Sequence, residues 1–146
     1  MPQFILDLGT PEAGLNYIRK RAFVRGYVEA MFFTETGCSD DGDMEHATVA
    51  ELSNEAWERI VADCDEFERR CRRLLDAAYQ RDYDEEQAGR DFWFTRNGHG
   101  VGFWDREQLR EGGLGERLSK YCGWRSKTGL CEVDVYMGDD GLIYFA

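Results

Sequence analysis

Apolar positions along the chain fall into segments of helical period, followed near the C-terminus by segments of strand period. Thr10-Pro11 reads as a helix opening, because a threonine side chain caps free amides and proline is tolerated at the first helical position. Leu15, Ile18, Ala22, Val24, Val28, Met31 and Phe32 then form a broad apolar face through about Phe33, interrupted by Arg19, Lys20, Arg21 and Arg25. Gly26 marks a kink or a close approach within that helix. Ser53 is placed to cap a second helix, in which Trp57, Ile60, Val61, Cys64, Phe67, Cys71, Leu74, Leu75 and Ala78 recur at three-and-four spacing. Its other face sets Glu55 four residues before Arg59, Asp65 before Arg69, Glu66 before Arg70 and Glu68 before Arg72. Each such pair contributes about 0.2–0.5 kcal/mol, and together they are expected to neutralise the arginines within the helix.

Asp84 and Gln87 make a capping-box pattern, predicting a shorter helix from Glu85 into Asp91-Phe92-Trp93-Phe94. A second reading pairs Phe92–Thr95 with Val101–Trp104 as strands across Asn97-Gly98, a strong hairpin signal. A fourth helix fits Leu114 to Tyr121. Cys131 to Met137 then alternates, and Asp139-Asp140-Gly141 turns the chain into Leu142 to Phe145. A two-stranded hairpin alone is marginal in water, so it must pack on the helices or gain a third strand, for which residues 101–105 are the candidate. The expected fold class is α+β: about four helices with a C-terminal antiparallel hairpin. One domain spans residues 1–146, with a helical part at 10–80 carrying an acidic loop at 35–47, and a C-terminal part at 84–146.

Composition narrows the function classes. A chain of 146 residues with 42% hydrophobic and 14% aromatic content builds one core rather than two. No stretch approaches the roughly 18 apolar residues of a membrane span, and Met1 to Leu8 lacks the signature of a signal peptide, so a cytoplasmic location is expected. Five cysteines without a C-x-x-C pair fit neither a disulfide framework nor a zinc ribbon, and read as reduced thiols. A formal net charge of −11 opposes direct nucleic-acid binding and favours basic surfaces on other proteins, although acidity also serves solubility alone.

The charge is uneven. From Gly26 to Glu58 there is no lysine or arginine, and Thr36 to Asp43 has turn residues without apolar period, reading as an exposed loop. Asp40, Asp41, Asp43, Glu45, Glu51 and Glu55 are the candidate partner-binding residues of this acidic half. Asp41 to Glu45 lacks the glycine and glutamate spacing of an EF-hand, and His46 beside it reads as solvated, so neither a metal nor a cofactor is expected. Cys64 and Cys71 share an apolar helix face and read as core.

The segment from Asp91 to Arg106 sets Gly98, Gly100 and Gly102 around His99 between paired aromatics. In a functional reading His99 and Asp105 form an oriented acid-base pair, and Arg96 or Arg106 holds an anionic ligand between Trp93 and Trp104. In a structural reading the aromatics are core, Asp105 accepts from a backbone amide and His99 fixes a loop; in a third, the segment is a protein-contact surface anchored by Trp and Arg. The glycines do not match G-x-G-x-x-G, and the chain lacks a P-loop, a G-x-S-x-G elbow and H-E-x-x-H.

The pattern D-F-W-x-T-R-N-x-H-G-x-G-F-W-D-R at Asp91 to Arg106, with Asp134-Val-Tyr-Met-Gly-Asp-Asp-Gly-Leu-Ile-Tyr144 near the C-terminus, resembles small uncharacterised proteins encoded by bacteriophages and prophages. The resemblance covers roughly the last 60 residues well and names no activity. It implies a bacterial or phage cytoplasm and a gene useful to a mobile element. The leading expectation is therefore a non-enzymatic protein that binds a host protein with a basic surface, in the manner of an anti-CRISPR inhibitor. The rival is a small-molecule or nucleotide site, or a minor enzyme, built on Trp93, Arg96, His99, Trp104 and Asp105. A homodimeric regulatory module is the third reading.

Overall fold

The computed structural model describes residues 4–37, 44–123, 126 and 128–146. Thr10 Oγ1 accepts from Ala13 N at 3.1 Å and Pro11 takes the first helical position, opening α1 (Pro11–Ile18) as expected. The expected long helix then breaks. Arg19 ends α1, and α2 (Ala22–Gly37) starts a new axis, while an Arg25 guanidinium NH donates to the Lys20 carbonyl at 2.6 Å inside the break. Leu15 and Ile18, assigned to the apolar face, are consequently 54% and 61% exposed, whereas Phe23, Val24, Tyr27, Val28, Met31 and Phe32 are buried.

Ser53 Oγ accepts from Ala56 N at 3.0 Å to open α3 (Asn54–Arg70), and α4 (Arg72–Ala78) continues beyond a kink at Cys71, whose φ of −105° and ψ of 19° depart from the helix. The apolar spacing runs through the kink, so Ile60, Cys64, Phe67, Cys71, Leu75 and Ala78 all reach the core. Asp84 Oδ1 accepts from Gln87 N at 2.8 Å and opens α5 (Glu85–Arg96). This decides the first of the two readings for residues 92–104. The Gln87 side chain does not return to the cap, donating instead to Asp91 Oδ1 at 3.1 Å, so only half of the capping box forms.

The core is organised by α2 against α5. A Cβ on Gly26 would lie 2.0 Å from the Glu86 carbonyl oxygen, and one on Gly89 would lie 1.9 Å from that of Phe23. Gly26 therefore serves close packing. This approach stacks Phe92 on Phe67 at 4.3 Å between ring centroids and sets Tyr27 edge-on to Trp93 at 5.2 Å.

Residues 101–105 do not form a strand. Asp105 Oδ1 accepts from Gly102 N at 2.9 Å and Phe103 N donates to Thr95 Oγ1 at 3.2 Å, closing a 3-10 turn (Phe103–Asp105) that sinks Phe103 into the core. Further short turns lead into α6 (Leu114–Ser119). The hairpin forms between β1 (Val135–Met137) and β2 (Ile143–Phe145), with Tyr136 opposite Tyr144. Its additional partner comes from upstream of α3: Leu52 bridges Ile143 in parallel, and Ser53 N donates to the Ile143 carbonyl at 3.2 Å. The fold is α+β, mostly helical with a C-terminal antiparallel hairpin. No helix among the described residues is long and apolar enough to cross a membrane.

Candidate functional site

The aromatic and glycine-rich segment divides between core and surface. Trp93 is fully buried, its indole N–H donating to Thr34 Oγ1 at 2.9 Å. Arg96 is 1% exposed. Its Nη1 donates to Asp63 Oδ2 at 2.8 Å and to the Tyr27 hydroxyl at 3.1 Å, and its Nε donates to the Cys131 carbonyl at 2.8 Å. Trp104 is 49% exposed, and His99 is exposed against the rings of Trp93 and Phe94. Asp105 is held by the Gly102 amide, as the structural reading expected, and no hydrogen bond among the described residues joins it to His99. An anion held by Arg96 between the two tryptophans is therefore not available to this geometry.

Asp91 is the polar centre of that scaffold. Fully buried, it accepts from Arg106 Nη2 at 2.6 Å, from the Tyr83 hydroxyl at 2.6 Å and from Gln87 Nε2 at 3.1 Å. Burial, and after it the Asp91 carboxylate, pushes the Tyr83 phenol far up, so it stays a donor. The second arginine proposed for anion binding, Arg106, is thus committed to Asp91.

Asp40, Asp41 and Asp43 lie outside the described residues. The other three candidate carboxylates separate. Glu51 accepts from Thr48 N at 3.0 Å in a capping box, Glu45 is exposed beside His46, and Glu55 is exposed in the first turn of α3 next to the hairpin. There Glu55, Asp139 and Asp140 surround the stacked rings of Tyr136 and Tyr144, whose centroids are 5.8 Å apart, along an open depression of about 430 Å3. The Tyr144 hydroxyl donates to Asp140 at 2.5 Å. That bond, with one from Leu142 N, holds the Asp140 carboxyl below its ordinary value and raises Tyr144 to about 12. Tyr136 remains 48% exposed. The surface offers carboxylates and aromatic faces, which suits arginine and lysine side chains.

A second surface has the opposite sign. At the α3–α4 kink, Arg69, Arg70, Arg72 and Arg73 form one wall of a cleft of about 560 Å3, and Arg117 and Lys120 of the α6 region form another. Leu74 and Tyr121 complete it. The run Arg69-Arg70-Cys71-Arg72-Arg73 is plain in the sequence, but intrahelical pairing was expected to cancel it. Of the four expected pairs, only Glu66 with Arg70 forms among the described ion pairs, at 2.5 Å. Glu66 also takes Arg69 at 2.7 Å, and the two guanidinium groups hold its carboxyl down at about 2. Asp65 and Glu68, expected to neutralise Arg69 and Arg72, instead meet Arg21 at the start of α2, while Arg59 turns to Asp63 and Arg72 to Asp76. Spacing along one helix carries no information about a cation arriving from another.

Comparison of the chain with protein-family models, with curated proteins and with solved structures finds no match.

Proposed function

We propose that this protein is a non-enzymatic binding protein whose acidic, tyrosine-bearing hairpin face docks on a basic surface of another protein. The observation that carries the reading is the Tyr136–Tyr144 stack, with Tyr136 exposed, Glu55, Asp139 and Asp140 around it and no cation in its lining among the described residues. Tyrosine is a common anchor of protein interfaces, and complementary charge sets encounter rate and partner choice. The net charge of −11 extends the same field over the molecule. The resemblance to phage and prophage proteins supports a bacterial host protein as partner, with a defence nuclease complex that holds nucleic acid in a basic groove as the specific candidate. Asp40, Asp41, Asp43 and Glu45 would add charge to the same encounter.

The test is affinity capture from a nuclease-treated bacterial lysate with wild-type protein and with Glu55→Lys, Asp139→Lys and Asp140→Lys combined. Wild type is expected to retain one stoichiometric partner at low salt and release it at high salt. The triple variant is expected to lose that partner while remaining folded, and Glu55→Lys with Asp139→Lys, which leaves the Asp140 hydrogen bonds intact, is expected to weaken its retention at an unchanged melting temperature. Retention by the triple variant, with loss on reversing Asp40, Asp41, Asp43 and Glu45, would move the surface to the acidic loop. Retention by both variants would overturn the electrostatic reading.

A further inference from the structure

A third of the chain's basic residues converge on one cleft: six of its 18 lysines and arginines line the space between the α3–α4 kink and α6. Three of the four cations near the N-terminus are engaged by the fold. Arg21 pairs with Asp65 and Glu68, Arg25 with Glu86, and Lys20 lies 4.9 Å above the ring of Trp57. In the cleft only Glu66 and Asp76 answer the six cations among the described ion pairs, and Arg73, Arg117 and Lys120 take part in none. Crowded like charge opposes folding, and an acidic chain has carboxylates enough to relieve it. Packing does not require these groups, since Arg69, Arg72, Arg73, Arg117 and Lys120 are all exposed.

The walls define what would neutralise them. Arginine forks match phosphate oxygens two at a time, and the cations stand on two facing stretches of chain, residues 69–73 and 117–120, so a bridging ligand carries several negative charges. The volume of about 560 Å3 is that of a small-molecule site, in the range of roughly 300–1,000 Å3. Tyr121 and Leu74, both half-buried, add an apolar wall suited to a flat ring. A nucleic-acid strand would extend beyond the cleft into the field of a protein with net charge −11, whereas a short anion stays within about a Debye length, ~8 Å, of the cations.

We propose that this cleft binds a nucleoside polyphosphate, its phosphates between Arg72 and Arg73 on one wall and Arg117 and Lys120 on the other, its ring against Tyr121 and Leu74. The site is separate from the hairpin face and does not depend on protein docking there.

Calorimetric titration of the intact protein at low ionic strength with ATP and with inorganic tripolyphosphate tests the proposal. Both are expected to bind one to one. Combining Arg73→Glu with Lys120→Glu should weaken both by about tenfold or more, the size of one or two lost charge-assisted hydrogen bonds, at an unchanged melting temperature. Tyr121→Ala should weaken ATP and spare tripolyphosphate, and Arg110→Glu, a charge reversal outside the cleft, should alter neither. Absence of saturable binding by both probes, or binding indifferent to the double variant, would overturn the site. Equal ATP affinity in Tyr121→Ala would overturn the ring contact, and a single-stranded oligonucleotide binding more tightly than ATP would overturn the small-ligand assignment.

Discussion

Arg96 and Arg106, on or just beyond α5, and Arg72 and Arg73, at the start of α4, carry the same guanidinium in opposite circumstances. The first two are tied to named acceptors, Arg96 to Asp63, Tyr27 and the Cys131 carbonyl, Arg106 to both oxygens of Asp91. The second two face a cleft in which cations outnumber carboxylates. Removing a charge that several buried groups bind leaves those partners stranded, whereas removing one of several crowded exposed cations strands no buried group. An arginine's role is thus readable from what its removal would orphan. By that criterion the two arginines of the aromatic segment belong to the scaffold, and the plainer arginine run is exposed and lightly paired.

The contrast breaks most sharply at Asp91. Asp91→Ala should cost about 3–5 kcal/mol in denaturant unfolding, because it orphans Arg106 and the buried Tyr83 hydroxyl together. A loss below about 1 kcal/mol would return Arg106 to the list of groups free to bind. Gly89→Ala should cost about 2 kcal/mol: a Cβ 1.9 Å from the Phe23 carbonyl oxygen must push α2 and α5 apart, and the ~1 kcal/mol that alanine gains in helix propensity offsets only part of that strain. At the cleft, Arg73→Glu should leave stability within about 0.5 kcal/mol or raise it slightly, since it relieves repulsion and breaks no described bond. A large destabilisation there would make the cluster structural after all.

The smallest effect is expected at His99. Partial burial holds its imidazole below the ordinary value, with Glu132 opposing, so the fold disfavours the protonated ring. The associated stability is present above the ordinary imidazole range and is lost as the pH falls through it toward the lower folded value. His99→Gln should therefore flatten the decline in melting temperature between about pH 7 and pH 5. An unchanged decline would place the acid sensitivity elsewhere.

The elements that could be read from the sequence are those whose signals are local. Thr10-Pro11, Ser53 and Asp84 open helices where their side chains accept backbone amides, and the Asp139-Asp140-Gly141 turn closes its hairpin. The errors occur where a distant group decides. Leu15 and Ile18 have helical spacing, but the break after Ile18 turns their face to solvent, and Val101 to Asp105 has strand composition, but Thr95 and Asp105 bind its amides first. Both surfaces follow the same rule. Glu55 was identified by its place in a run of acids, while Tyr136, Asp139 and Asp140 join it only because Ser53 and Ile143 meet across ninety residues of chain. The cleft was hidden by Arg21, which removes Asp65 and Glu68 from the arginines beside them.

One helix holds both surfaces. Glu55, in the first turn of α3, borders the acidic face, and Arg69 and Arg70, in its last turn, border the cationic cleft. At 1.5 Å per residue its 17 residues act as a strut of about 25 Å. Whatever sits at one end is held at a set spacing from whatever sits at the other, too far for direct touch and beyond the reach of screened charge. A single rigid rod would thus make the molecule a gauge, measuring out the separation between the two proposed occupants of opposite sign.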